Sequence, residues 1–506
     1  MAVVVSHIAD DFDCLAAQVL RQAPLADLVE LRLDRIGNPG QAALEELVRA
    51  CPKPVIVAVH GAEAFGGFAG PTAERLDILR TAARAGARFV DVDWRLSLEL
   101  GEVSGKCHRI VSRHELDGTP ADLAELHEEV RAVLYEGDVV KLVAHAGCCE
   151  DGLRMLSYVR AAGGGLIGFC SGAAGAFTRL LAPIFGSPFT YAAAADVPGA
   201  EAGPETAPGQ IRVNALRAMM PPGGLSAETA IFGVVGANAR YSWSPRVQGM
   251  ALKAARLDAV YVAFEPDDFD AFLDLAGDES LRGLSITAPF KQDALRRSSS
   301  IDGDARAAAA VNTLVRERAG WRGFNTDVGA IAETLARALR VHERDAGRPA
   351  RLADAHTLVL GTGGAARAAA QAVRAAGGRL TVAGRDRAKA TLLAREFKGA
   401  GVGWEEAPAV AHDVLVHCTP LGSAWRPGEL PFPAEALRPG TVVLDAVYRP
   451  VRTPLLAAAV ARGCTAVPGG EWFVRQALAQ FRLFTGQEAD EALLRAAFEH
   501  ALEDER

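Results

Sequence analysis

No uninterrupted apolar run in this 506-residue chain reaches the roughly 20 residues needed to cross a bilayer, so no transmembrane helix is expected. The first residues, MAVVVSHIADDFD, lack a basic segment and hold only a four-residue apolar stretch, which does not make a secretory signal. Basic residues are outnumbered: 54 Lys and Arg against 62 Asp and Glu leave a formal net charge of −8. That balance argues against broad binding to nucleic-acid phosphates. Cysteine is sparse, with eight residues and no C-x-x-C. The adjacent Cys148 and Cys149 suit neither an ordinary disulfide nor tetrahedral zinc. The cysteines therefore read as small buried hydrophobes or bystanders, and neither a metal site nor a disulfide framework is expected. These absences point to a cytoplasmic protein with no membrane partner. What remains is ordinary globular material, half apolar and 23% charged, long enough for about three domains.

The first 200 residues repeat one pattern. Short apolar, β-branched runs occur at 3–8 (VVVSHI), 28–34 (LVELRLD), 55–60 (VIVAVH), 89–94 (FVDVDW), 109–114 (RIVSRH), 139–146 (VVKLVAHA), 166–170 (LIGFC) and 189–194 (FTYAAA). Most are separated by segments with helical spacing, such as AALEELVRA. Eight near-equal strand–helix units predict a (β/α)8 TIM barrel; an open doubly wound sheet is the alternative. The texture changes at VPGAEAGPETAPGQ, and MMPPGGLSAET (219–229) reads as a linker. A second α/β pattern starts at IFGVVG (231–236) and ends in a helix over 328–341. A third runs from HTLVLG to Pro468, and a helical tail follows. The expected domains are therefore 1–222, 228–342 and 343–468, with terminal helices over 469–506 returning to the second of them.

Gly361, Gly363 and Ala366 form G-x-G-x-x-A directly after the strand HTLVLG, with Gly364 and Ala365 opening an Ala-rich helix. Such glycines permit a tight turn and close approach of backbone to a pyrophosphate, and the helix N-terminus offers unpaired N–H groups to its charge. This is the Rossmann fingerprint in its strand–turn–helix context. The next strand, RLTVAGR, ends on Arg385 where an NAD enzyme places an acid; Asp386 and Lys389 follow. A guanidinium suits a 2′-phosphate, so NADP is the expected cofactor, with Asp386 leaving NAD open.

Lys141 lies inside VVKLV on the sixth strand, and His114 ends the fifth. Burial in an apolar run favours the neutral amine, which attacks carbonyls to form an imine. A neighbouring imidazole supplies a general base. The same spacing also fits a snorkelling lysine beside a structural histidine.

More specific motifs then accumulate. ELRLD (30–34), SRHE (112–115), VVKL (139–142) and TAPGQ (206–210) resemble type I 3-dehydroquinate dehydratase. YSWSP (241–245), SITAPFK (285–291), AVNT (310–313), GFNTD (323–327), GTGGAARA (361–368) and Gln476 resemble shikimate dehydrogenase. Together they resemble the fused family that carries both activities. The resemblance implies a barrel followed by a two-domain dehydrogenase unit with a Rossmann NADP-binding domain. It implies a two-step shikimate-pathway enzyme on the way to chorismate and aromatic amino acids. One half would dehydrate 3-dehydroquinate to 3-dehydroshikimate without a cofactor; the other would reduce that product to shikimate with NADPH.

In the barrel the resemblance gives Lys141 the imine and His114 the proton transfers. Glu30, Arg32 and Asp93 are expected to line or orient the site, Arg179 to bind the substrate carboxylate, and Thr206 and Gln210 to close over the ring. His60 stands where the family has an arginine, which implies a weakened or rebuilt substrate contact. In the second half, Lys291 and Asp327 match the catalytic pair. Ser242 and Ser244 match the carboxylate-binding S-x-S pair, and Ser285, Thr287, Asn312 and Gln476 match further polar contacts. Tyr448 matches a tyrosine near the substrate. Gly361, Gly363, Gly364, Ala365, Arg385 and Lys389 are the expected dinucleotide contacts. The family's His-Asn after S-x-S-P is Gln248-Gly249 here, so no role is assigned to them. Two other readings use the same domains: a quinate/shikimate dehydrogenase with a catabolic dehydratase, and a non-catalytic regulatory homologue. The second is disfavoured by the presence of Lys141, His114, Lys291 and Asp327.

Overall fold

The computed structural model describes residues 2–103, 105–195, 206–277, 279–343 and 347–503. Residues 196–205, most of the segment VPGAEAGPETAPGQ where the texture changes, lie outside them. Among the described residues no helix is long and apolar enough to cross a membrane. The chain forms two compact units: 1–230 with 258–260 and 264–281, and 231–257 with 261–263 and 282–506.

The first unit holds strands β1 (Ala2–Ile8), β2 (Leu28–Arg32), β3 (Val55–Ala58), β4 (Phe89–Asp93), β5 (His108–Glu115), β6 (Val139–His145), β7 (Leu166–Ser171) and β8 (Phe189–Ala193). All pair in parallel, in the order β7-β6-β5-β4-β3-β2-β1-β8. This is an eight-stranded TIM-like barrel, nearly closed, since among the described residues no ladder joins its two end strands. Helices cover such strands on one face and barrel packing covers the other, which is why each reads as a continuous apolar run.

Residues 258–260 and 264–281, expected with the second domain, cluster with the barrel unit. The reason is local packing. The helix Phe269–Leu275 lies on the helix Cys149–Ala161. The Asp268 N–H donates to Glu150 at 2.9 Å, and the ring of Phe264 meets Phe177 at 5.2 Å.

Further along come β9 (Ala230–Val235), β10 (Ala259–Phe264), β11 (Leu281–Ile286), β12 (Ser300–Ile301), β13 (Thr313–Glu317) and β14 (Gly320–Phe324). They form a sheet of order β10-β9-β11-β13-β14-β12. Its β11–β13 and β13–β14 pairs are antiparallel and its β12–β14 pair is parallel. A third, wholly parallel sheet contains β15 (His356–Leu360), β16 (Arg379–Gly384), β17 (Ala400–Gly403), β18 (Val414–His417), β19 (Val442–Asp445) and β20 (Thr465–Val467). Its order, β17-β16-β15-β18-β19-β20, is that of a Rossmann sheet, with the switch point between β15 and β18. The terminal helices, Gly469–Thr485 and Glu491–Glu503, pack on the helices Thr326–Leu339 and Ser244–Ala254.

Candidate active sites

Barrel strands and the loops that follow them bring polar side chains from widely separated positions into one pocket. Its lining includes Glu30, Arg32, His60, His114, Lys141, Arg179, Thr206 and Gln210, all expected there, together with Ser6, Phe169 and Tyr191. Lys141 does not lie in the purely apolar socket that its run suggests. Its Nζ donates to Asp91 Oδ2 at 2.8 Å, lies 3.9 Å from Glu30 Oε1 and sits 4.3 Å from the centre of the Tyr191 ring. Two carboxylates and a ring face thus attend the amine.

Asp93 is not brought into the pocket. Its carboxylate grips Arg95 through Nε at 2.9 Å and Nη2 at 3.0 Å, and accepts the Arg95 N–H. The acid that reaches the lysine is Asp91, two residues earlier on the same strand face and fully buried. Sequence reasoning passed over it because FVDVDW offers two inward acids without saying which sits at the depth of Lys141.

His114 and His60 face each other edge-on, with ring centres 5.3 Å apart. Burial, and then Lys141, Arg32 and Arg179, hold the His114 imidazole well below its usual value near 6.5. Burial, and then Arg32, does the same to His60. Both rings are therefore neutral at pH 7, the state a general base needs. His60 Nε2 is 3.9 Å from the same Asp91 oxygen that holds Lys141. Asp34 clamps Arg32 at Nε and Nη2 and also accepts the backbone N–H of His60 at 2.9 Å. Arg179 is buried over the Phe169 ring at 4.5 Å. Thr206 and Gln210 hydrogen-bond each other; Arg32 Nη1 donates to the Thr206 carbonyl at 3.2 Å, and Gln210 reaches Ser6 at 3.4 Å.

In the second unit Lys291 opens the helix Lys291–Arg297, and its Nζ donates to Asp327 Oδ2 at 2.5 Å. The lysine stem runs beside the dinucleotide turn: a β-carbon at Gly364 would lie 2.8 Å from Lys291 Cδ. The glycine at 364 thus has a role the fingerprint does not announce, since it leaves room for the lysine. The other oxygen of Asp327 accepts the Trp472 indole N–H at 3.0 Å.

Of the other expected residues, Ser242 Oγ donates to Ser244 Oγ at 3.1 Å and accepts the Ser244 N–H at 3.2 Å. Ser285 is tied into a buried chain: it accepts from Tyr261 at 2.6 Å and donates to Gln480 Oε1 at 2.7 Å. Asn312 holds the start of the helix that carries Asp327, donating to Thr326 Oγ1 at 2.9 Å and accepting the Thr326 N–H at 2.8 Å. Thr287 is half-buried, its methyl where a side chain on Gly236 would go. Gln476 donates to the Phe473 carbonyl of its own helix at 3.0 Å. Tyr448 packs in an aromatic cluster with Trp243 and Phe473, at 5.3 and 5.0 Å.

Trp472 and Gln480 escaped the sequence reading. They lie four residues either side of Gln476, so W-x-x-x-Q-x-x-x-Q places three hydrogen-bonding side chains on one helix face. That spacing was the available signal.

The dinucleotide turn fits its expected ligand. Gly361 has φ +124, and a β-carbon there would press on the Cys418 carbonyl at 3.1 Å. Gly363 caps the 13-residue helix Gly364–Ala376 without a side chain, leaving its first N–H groups open to an anion. Ala365 follows in the first turn. Arg385 is exposed at the end of β16. Asp386 is occupied as the N-cap of the helix Arg387–Glu396, accepting the Lys389 N–H at 3.1 Å, with Lys389 Nζ 3.9 Å away. The acid beside Arg385 thus already has donors of its own.

Comparison with known proteins identifies relatives of both halves. The family model for type I 3-dehydroquinase matches residues 4–221, and that for the shikimate dehydrogenase substrate binding domain matches residues 234–314. The chain is 30% identical over 508 residues to the chloroplastic bifunctional 3-dehydroquinate dehydratase/shikimate dehydrogenase of Arabidopsis thaliana, covering 96% of this chain and 82% of that one. A shikimate dehydrogenase (NADP(+)) of Halobacterium salinarum is 39% identical over 273 residues, covering 53% of this chain and 97% of its own. Among solved structures, shikimate 5-dehydrogenase of Thermus thermophilus, in complex with NADP(H) and shikimate, is 32% identical. It covers 54% of this chain and 100% of its own, with a TM-score of 0.48.

Proposed function

Since the chain belongs to the family of bifunctional 3-dehydroquinate dehydratase/shikimate dehydrogenases, we propose how its own residues divide the two reactions. The protein is a lyase and an NADP-dependent oxidoreductase of the shikimate pathway. The barrel converts 3-dehydroquinate to 3-dehydroshikimate, and the C-terminal half reduces the product to shikimate.

In the barrel, the Lys141 amine attacks the C3 carbonyl, and loss of water leaves an imine. Neutral His114 removes a C2 proton, and the electron pair delocalises into the imine. The C1 hydroxyl then departs with the proton that His114 returns, and hydrolysis frees the lysine. Asp91 aims the amine and receives its proton. Arg179 pairs with the substrate carboxylate, and Glu30, Arg32 and His60 face the ring hydroxyls. Thr206 and Gln210 cover the ring. The observation that carries this reading is the meeting of Lys141, His114 and Arg179 in one pocket. Borohydride added with 3-dehydroquinate should modify Lys141; active turnover with no adduct sinks the imine mechanism.

In the second half, Gly361, Gly363, Gly364 and Ala365 would hold the dinucleotide pyrophosphate, with Arg385 and Lys389 near its 2′-phosphate. When bound, NADPH supplies the hydride for the C3 ketone. Lys291 delivers a proton to the developing alkoxide, and Asp327 holds the lysine in place. Ser242 and Ser244 receive the substrate carboxylate; Ser285, Thr287, Asn312, Gln476 and Tyr448 shape the surrounding wall. Supplying 3-dehydroquinate and following NADPH absorbance tests both halves and their order: no NADPH consumption, with each half intact, defeats the sequence of steps. The eight unbridged cysteines suit a reducing compartment, and we assign the protein to the cytoplasm.

A further inference from the structure

An indole has one polar atom, and its N–H is a donor and never an acceptor. Buried, it must find an acceptor, and the choice of acceptor is informative. Trp472 is 6% exposed, and its ring belongs to an apolar cluster that includes Val328, Ile331 and Ala366. Its one polar atom is spent on Asp327 Oδ1, at 3.0 Å. The other oxygen of the same carboxylate holds the Lys291 ammonium. Asp327 is thus gripped at both oxygens, by donors from two different helices.

The approach of the indole is built into the chain. Trp472 lies in the first turn of the helix Gly469–Thr485, two residues after the second of two glycines. A β-carbon at Gly469 would sit 2.6 Å from the Asp445 carbonyl, and one at Gly470 would sit 2.6 Å from the Phe498 ring. Their bareness lets the helix start press inward against the end of β19 and the last helix, and so sets where the indole points. The helix then packs along Thr326–Leu339, which carries Asp327.

A carboxylate turns easily about its last torsion, a broad sp³–sp² rotor. A single lysine on a flexible stem does not fix that torsion. Two donors on opposite oxygens do. Resting on the dehydrogenase reading above, we propose that Trp472 is a positioning residue of the reduction: its indole N–H fixes the plane of Asp327 and, through it, the place of the Lys291 ammonium. The residue acts on proton delivery and not on substrate affinity.

The test uses the full-length chain, whose dehydratase activity serves as an internal control. Trp472→Phe keeps an aromatic ring and removes the donor. Its kcat for shikimate oxidation should fall about tenfold to a hundredfold, the scale of a hydrogen bond to a charged group. KM for shikimate and for NADP should stay within about threefold, and dehydratase turnover should be unchanged. Replacing Trp472 with benzothienylalanine, an isostere without the N–H, should reproduce the loss; 7-azatryptophan, which keeps the N–H, should restore most of kcat. A benzothienyl protein as fast as the wild type overturns the proposal, whether or not the phenyl variant folds. So does a loss carried by KM. Failure of the unmodified protein to oxidise shikimate would instead refute the underlying dehydrogenase assignment.

Discussion

Both halves of the chain place a lysine against an aspartate, and the two pairs are built differently. Lys141 lies in the middle of a barrel strand, its side chain 5% exposed, with Asp91, Glu30 and the Tyr191 ring around the amine. Lys291 lies at the start of a short helix, 14% exposed, with its stem along the dinucleotide turn. The Asp91 carboxylate meets the lysine through one oxygen and, among the described residues, has no second donor on the other, whereas Asp327 is held at both. The difference follows the chemistry proposed for each. An amine that must lose its proton, bond to carbon and be released needs a partner that can receive a proton and move. An ammonium that hands over one proton without forming a covalent bond needs a fixed direction. Enclosure serves the first, and rigidity serves the second.

The largest effect expected from this contrast is on the covalent lysine. Lys141→Ala should lower dehydratase turnover by about 10⁴-fold or more and leave shikimate oxidation within about twofold; surviving dehydratase activity would break the covalent half of the contrast. Lys291→Met should slow the dehydrogenase less, by about 10²- to 10³-fold, because proton transfer alone is lost. Equal losses in the two variants would erase the distinction. Asp91→Asn should leave a buried ammonium without its main partner, costing the barrel about 3 kcal/mol, and Asp327→Asn should cost less at the more open pair. Calorimetric unfolding of each full-length variant against the wild type separates the two costs. The smallest effect concerns pH. A base with the ordinary histidine value would be about half protonated at pH 6.5. Burial and nearby cations depress His114, so its neutral form persists to lower pH and is lost only as pH falls through that depressed value. The dehydratase kcat/KM should therefore change little between pH 7.5 and 6.5; a halving over that interval contradicts the environment seen around the ring.

Much of this is legible in the sequence. Eight apolar runs read as barrel strands because parallel strands are buried on both faces, and a lysine inside VVKLV stands out against such a background. The depth of an acid along a strand was not legible. The ladder pairs Asp93 with Ser112 and Ser112 with Lys141, so register alone points to Asp93; the tilt of barrel strands brings Asp91, two residues earlier, to the lysine instead. Trp472 was hidden by its type, since a tryptophan in a helix reads as core until its one polar atom is located. The two-residue β12 was too short to leave a period, and the path of residues 264–281 depended on tertiary packing that no local pattern encodes. The dinucleotide turn lay at the other extreme, because backbone geometry there admits so few residue types that the glycines announce it.

Asp34 has a consequence for how this site tolerates change. It binds the Arg32 guanidinium with its side chain, yet it holds position 60 through the main-chain N–H. The tether at 60 therefore does not depend on which side chain stands there. Substitution can alter what that position shows to a ligand while the strand end keeps its place, so His60 is a permitted variation at an anchored position. Position 32 has no such latitude, because its own side chain is half of the clasp.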